Sequence, residues 1–262
     1  MLSNKLKKLI LRICDLNLRA KEGHVPSALS ILNIVWVLYD QIMNLNLIKK
    51  NSNDRDYFIL SKGHGCLAQY VLLEDKNIIK KKELDSFCKF NSKFGGHPDY
   101  KKITGVEAST GSLGHGFPIA AGIAYALKIK KKNNRVYVIV GDGECNEGTI
   151  WETCLLASHH KLNNLICIID KNLSTDRAIK IDDLKKKFLS FGWETHNCNG
   201  HSNKELKKIL IKKSKKPMVV IAKTIKGFGI KFMEKNQHEW HHKIVGNNEF
   251  TKIKKNLGLD LR

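Results

Sequence analysis

The 262-residue sequence predicts an α/β fold, a parallel β-sheet with helices on both faces. Three observations carry that expectation. From residue 57 onward, apolar runs of strand length alternate with stretches of helical periodicity. Two of these runs, 136–140 and 165–169, end in polar turn motifs, Gly-Asp-Gly at 141–143 and Asp-Lys-Asn at 170–172, with a helical stretch between them. Finally, there are only four prolines and no linker, repeat or low-complexity segment, so residues 1–262 read as a single domain.

The elements follow in order. Leu6, Leu9, Ile10, Ile13 and Leu16 share one face of a helix over 3–21. Asp15 and Asn17 follow with no small-residue cleavage site, which marks an ordinary amphipathic helix and not a targeting segment. A Gly-His turn precedes a helix at 29–42, and a strand at 57–60 leads through "SKGHG" into a helix ending near 73. Residues 81–90 look helical. The glycine-rich stretch 94–116 opens into a small-residue helix at 119–130. After it come strand 136–140, helix 149–160, strand 165–169, helix 182–191, strand 194–198, helix 203–212, strand 218–222 and a polar tail.

Composition narrows the function classes. The net charge is +21, and its basic residues are overwhelmingly lysine in short runs such as 80–82, 130–132 and 185–187. Nucleic-acid surfaces interleave arginine and aromatics with lysine, so these runs read as solvated helix ends and loops. No apolar run approaches the roughly 20 residues that span a bilayer. Seven cysteines are scattered without a CxxC pair, which argues against a zinc site or disulfide framework and for a reducing cytoplasm.

The two turn motifs carry the chemistry. A right-handed crossover returns strand 165–169 parallel to strand 136–140, often beside it, so Asp142 and Asn172 stand at neighbouring carboxyl ends, where open α/β sheets bind ligands. A carboxylate and an amide oxygen are hard ligands for Mg²⁺ or Ca²⁺ and poor ones for zinc. Gly141 and Gly143 allow a tight turn and close approach, and the following helix start favours an anion. These features fit a diphosphate held through a divalent metal; a plain strand–turn–helix connection with Asp142 as N-cap fits the same spacing.

"GDGECNEG", followed thirty positions later by "DKN", resembles the thiamin diphosphate motif. More narrowly, "AKEGHVPSALS", "LSKGHGCLAQYVLL", "GGHPDY", "GVEASTGSLGHGFPIAAGIAYALK", "GDGECNEGTIWET", "NNLICIIDKN", "FGW" and "AKTIKGFG" resemble, in order, the N-terminal half of transketolase. The resemblance implies a thiamin diphosphate-binding fold and the transfer of a two-carbon ketol unit from a ketose to an aldose, sugar phosphates or related sugars. It implies thiamin diphosphate and Mg²⁺, with Ca²⁺ or Mn²⁺ as substitutes. It covers only the diphosphate-binding domain. The pyrimidine-binding and C-terminal domains are expected on a partner chain, with this chain a homodimer alone and a two-plus-two heterotetramer with its partner. The activating glutamate lies in the missing domain, so this chain alone is expected to be inactive.

Residue by residue, the resemblance assigns metal ligation to Asp142, Asn172 and the carbonyl of Ser174. The sequence departs from the family after Asn172, in "NLSTDRA". Gly143 would let the diphosphate approach, with Gly141 and Glu144 beside it. His24, His64, His97 and His241 match the family's active-site histidines, His97 on the sugar and His64 and His241 also on the cofactor; His238 or His242 could take the place of His241. Gly111, Ser112, Leu113 and Gly114 match a loop at the aminopyrimidine end. Glu147 matches an acid that couples paired sites, and is equally a first-turn helix acid. The segment 105–126 would face the partner. Two other readings stand beside this one, the α subunit of a 2-oxo acid dehydrogenase and a basic nucleic-acid-binding or scaffold protein.

Overall fold

The computed structural model describes residues 2–176 and 178–259. Five strands, β1 (Tyr57–Leu60), β2 (Val136–Gly141), β3 (Leu165–Lys171), β4 (Glu194–Asn199) and β5 (Met218–Lys223), form one parallel sheet in the order β1–β2–β3–β5–β4. The crossover from β2 returns β3 beside it, with Gly141 opposite Asp170, as the spacing of the two turn motifs requires.

Both faces of the sheet are covered. Tyr137 and Ile139 of β2, with Ile166 and Ile168 of β3, pack against a core built from α1 (Asn4–Ala20), α2 (Val25–Val37) and α4 (Cys66–Asp75). Val136, Val138, Val140, Leu165, Cys167 and Ile169 point the other way, toward α6 (Gly116–Ile129), α7 (Gly148–His159) and α8 (Leu184–Ser190). Alternate residues enter opposite cores, so these strands read as unbroken apolar runs. α9 (Asn203–Leu210) connects β4 to β5, and two short helices, α3 (Leu45–Lys49) and α5 (Lys81–Leu84), lie in the connections flanking β1 and α4.

The structure corrects several boundaries. α2 begins at Val25, four residues earlier than expected, because Pro26 suits a first turn whose N–H groups have no helical partner. It runs on through a π-turn at Leu38–Ile42, giving 18 residues apolar and long enough to cross a membrane, though 78% of them are buried inside the fold. Ser30 and Asn33 interrupt the apolar run in sequence, yet both are buried, Ser30 donating to Asp170 at 2.7 Å and Asn33 to Asn203 at 2.9 Å.

The helix expected over 81–90 stops at Leu84. Left-handed backbone at Cys88 and Asn91 turns the chain, and the Cys88 N–H closes the loop on the Phe94 carbonyl at 2.8 Å. The polar tail contains α10 (Lys231–Lys235) and α11 (Asn247–Leu257). Phe250, Ile253 and Leu257 form an apolar stripe of α11, which packs with α1, but the lysines between them hide that stripe in composition.

Candidate active site at the carboxyl edge of the sheet

Asp142 follows the last residue of β2 and is 5% exposed. Its Oδ1 accepts the Gly143 N–H at 2.8 Å and its Oδ2 the Leu173 N–H at 2.6 Å. Burial pushes its pKa up, and the charge of Asp170 adds to this. Among the described residues no cation pairs with it. Asn172 follows β3. Its amide N–H groups go to Asp170 Oδ2 at 3.0 Å and Ser30 Oγ at 3.1 Å, which turns Oδ1 the other way, where it accepts the Ser174 N–H at 3.1 Å. A desolvated carboxylate and an oriented amide oxygen, linked by the 172–174 turn, fit a hard divalent cation. Ser174 belongs to that turn.

Beneath this pair lies a network that sequence reasoning misses. Asp170, fully buried, accepts from Ser30, Thr224, Asn172 and the Lys62 ammonium. Burial alone would raise its pKa; the Lys62 charge and these hydrogen bonds hold it below the ordinary carboxylate value. Lys62 lies inside "SKGHG", but in so lysine-rich a chain one more lysine gives no signal. Lys226, inside "AKTIKGFG", is 3% exposed and reaches Ser174 Oγ at 3.4 Å and His241 Nδ1 at 2.6 Å. Its pKa is pushed down to about 8, first by burial and then by Lys62.

Two residues expected at the cofactor also have close partners within the chain. The Glu144 carboxylate is 1% exposed and accepts from Ser61 Oγ, the Gly114 N–H at 2.9 Å and the Gly141 N–H at 3.1 Å. It ties the ends of β1 and β2 to the 111–115 loop. A Cβ on Gly143 would lie 2.5 Å from Thr175 Cγ2, so this glycine makes room for the 172–176 turn. Gly114, at φ +82°, packs on Glu147 and Thr149, and Thr149 donates to its carbonyl at 2.8 Å. Ser112 is exposed and Leu113 half-buried beside it; Glu147 is exposed at the start of α7, open to a partner.

The histidines converge from four distant segments. His24 caps the start of α2, His64 sits in the turn 63–65 after β1, and His241 ends the turn 239–241. The His24 ring lies 5.5 Å from those of both His64 and His241 and 4.6 Å from that of His242, centroid to centroid. His238 is exposed and outside the cluster, so of the three late candidates His241 and His242 reach it. Burial, first of all, lowers the pKa of His24, with His242 and His97 adding to the effect and the His241 carbonyl opposing it. Burial and Lys62 lower His64 to about 2, and burial and Lys226 lower His241 to about 4. His97 is exposed; its ring packs on Gly111, whose neighbour Thr110 packs on Gly63, and its carbonyl lies 2.9 Å from the Tyr70 hydroxyl.

The segment expected to face a partner is only partly at the surface. Val106, Ala108, Phe117, Ala120, Ala121 and Ala124 fill the chain's own core, while Ile119, Tyr125 and Ile129 of α6 and Leu155 and Leu156 of α7 stay exposed.

Sheet, edge and donor set are those of an α/β domain suited to a ligand held through hard oxygen donors at its strand ends, and the comparisons give its family. The family described as "Transketolase, thiamine diphosphate binding domain" matches residues 4–262. The chain belongs to this family. It is 39% identical over 256 residues to an apulose-4-phosphate transketolase subunit of Actinobacillus succinogenes, covering 95% of this chain and 92% of that one. It is 33% identical over 220 residues to the 6-deoxy-6-sulfo-D-fructose transketolase subunit SqwG of Clostridium sp., covering 81% and 80%. A transketolase structure from Campylobacter jejuni superposes with a TM-score of 0.87 at 30% identity, covering 99% of this chain and 44% of that one. The chain thus spans less than half of that full-length enzyme and nearly all of the subunit-sized relative.

Proposed function

We propose that this chain is the diphosphate-binding subunit of a two-chain transketolase that moves a two-carbon ketol unit between an anionic ketose and an aldose. The observation that carries the reading is the Asp142–Asn172 pair at the ends of adjacent strands, bridged by the 172–174 turn, with buried Lys226 reaching both Ser174 of that turn and His241 of the histidine cluster. Asp142, Asn172 and Ser174 would hold Mg²⁺, Ca²⁺ or Mn²⁺, and the metal with Lys226 would hold the diphosphate. Bound thiamin diphosphate supplies the electron sink for cleaving the carbon–carbon bond beside a ketose carbonyl. His24, His64 and His241 orient the reacting group and move protons at its oxygens, and His97, at the exposed rim, binds the sugar.

Two relatives are named for a sugar phosphate and a sulfo-sugar, and the +21 charge of this chain favours anionic substrates through long-range attraction. The relatives named as subunits support a partner chain. We assign to it the pyrimidine-binding and C-terminal domains and a two-plus-two assembly, with the exposed faces of α6 and α7 and Glu147 at the interface. Seven free thiols, six of them buried, support a cytoplasmic setting. The test is reconstitution. Purified chain with thiamin diphosphate, Mg²⁺ and a panel of ketoses should be inactive, and ketol transfer should appear on adding a partner that carries the pyrimidine-binding domain. Turnover by the chain alone would defeat the two-chain reading.

A further inference from the structure

The pair Gly200–His201 lies outside the histidine cluster. It forms the turn between β4 and α9, and both of its residues reach the segment that follows β5. The Gly200 N–H donates to the Lys223 carbonyl at 2.8 Å, and a Cβ on Gly200 would collide with Thr224 Cγ2, so glycine is what lets the two turns come this close. His201 makes the next contacts. Its Nε2 accepts the Ile225 N–H at 2.9 Å, its Nδ1 lies 3.3 Å from Asn33 Oδ1, and its ring stacks on Phe228 with centroids 3.5 Å apart and planes 10° apart. A backbone N–H only donates, so Nε2 is the unprotonated nitrogen, and Nδ1 carries the proton that Asn33 Oδ1 accepts. Burial lowers the pKa of this ring to about 4, against the charge of Asp170, which keeps it neutral near pH 7. Among the described residues the Ile225 N–H has no other acceptor.

The segment held in this way carries Lys226. On one side of it the Thr224 N–H donates to the Lys171 carbonyl at 3.0 Å, and on the other Gly227, at φ +84°, donates its N–H to the Pro26 carbonyl at 3.0 Å. Ile225 stands between these two ties, one residue before Lys226. We propose that His201 is a positioning residue for the diphosphate end of the site: by accepting the Ile225 N–H it sets the main chain from which the Lys226 side chain enters. Its use by the site rests on the reading of Lys226 as a holder of the diphosphate. With the acceptor gone, the Ile225 N–H must turn to water, the segment is tied only at its ends, and the stem of Lys226 moves with it. The sequence shows Gly200-His201 as one more glycine-flanked histidine, but its ring serves the backbone of a neighbouring turn and not a substrate.

The test first reads the latch in the full chain, labelled with ¹⁵N, near pH 7.5. In two-bond ¹H–¹⁵N correlation, with the signal assigned from His201→Gln, wild-type His201 should show an unprotonated Nε2 and a protonated Nδ1. His201→Phe keeps a flat ring against Phe228 and loses the acceptor, so its Ile225 amide should exchange with deuterium roughly tenfold faster or more. His201→Gln, whose side-chain oxygen reaches toward the Nε2 position, should hold that rate within about threefold of wild type. A protonated Nε2, or unchanged Ile225 exchange in His201→Phe, overturns the proposal. In the assembled complex, calorimetry with thiamin diphosphate and Mg²⁺ should show affinity falling roughly tenfold in His201→Phe and recovering to within about threefold of wild type in His201→Gln. Leu257→Ala removes a buried side chain of α11 away from this turn and should leave the affinity within about twofold. Equal losses in His201→Phe and Leu257→Ala would reduce His201 to general stability, and unchanged affinity in His201→Phe would separate it from the diphosphate; either result overturns the positioning role. Absence of cofactor binding by the wild-type complex would count against the metal–diphosphate reading, while the spectra and exchange rates, which need neither cofactor nor partner, would still decide the latch.

Discussion

The two ends of the site are built differently. At the strand-end pair, Asp142 and Asn172 follow adjacent strands whose register is set by the sheet, and their side chains are tied to the Gly143 and Leu173 N–H groups and to Asp170. At the histidine end, His24, His64, His97 and His241 come from four loops or helix starts spread over more than 200 residues, and ring-to-ring contact and single hydrogen bonds hold them. The first end is locked by a ladder and a buried charge network; the second is assembled by loops that a modest change can move. The carboxylate–amide pair stands on the sheet itself, and the rings stand on the connections around it.

Removing the buried cation beneath the strand-end pair should have the largest effect. Lys62→Met leaves Asp170 buried without its cation, which should cost about 3–5 kcal/mol in urea unfolding. A loss under 1 kcal/mol would show that the network does not lock this end. Asp142→Ala should separate binding from stability. Metal-dependent thiamin diphosphate affinity, read by calorimetry on the assembled complex, should fall roughly 100-fold or more. The unfolding midpoint should move little, since removing a carboxylate that burial already disfavours offsets two lost hydrogen bonds.

The histidine end should govern the response to mild acid. His64 and His241 titrate at about 2 and about 4 in the fold, against 6.5 when exposed. Between those values the unfolded chain binds more protons, so their stabilisation is complete above pH 6.5 and is lost as pH falls toward the folded pKa values. The thermal midpoint should therefore drop between pH 7 and pH 5, and His64→Gln should flatten that drop. An identical pH profile for the variant would dissociate His64 from it. The smallest effect is expected at the rim. His97→Ala should raise KM for the sugar several-fold, on the scale of about 1 kcal/mol, with cofactor affinity nearly normal, whereas His64→Ala should weaken cofactor binding more. Equal losses in both would erase the division of labour between rim and interior.

Legibility follows the same division. Strand-end motifs announce themselves because glycine, a liganding oxygen and an apolar run must be contiguous there, so Asp142, Asn172 and the parallel crossover between them can be read directly. Thr175 approaches Gly143 from 32 positions away, and the partners Ser61 and Gly114 of Glu144 lie 83 and 30 positions distant. No local pattern encodes such contacts.

The order of helices and strands, the coverage of both sheet faces and the placing of Asp142 and Asn172 at neighbouring strand ends were determined by the sequence itself, because periodicity and turn chemistry act over a few residues. Tertiary structure decided which lysines, among so many, are buried: Lys62 beside Asp170 and Lys226 beside His241. It also decided that the Lys-rich tail folds back as α11 onto α1, and that His241 and His242, but not His238, reach His24. The physical reason is that burial of a charge and choice of a hydrogen-bond partner depend on what the rest of the chain brings within about 3 Å, a distance along which sequence separation has no meaning.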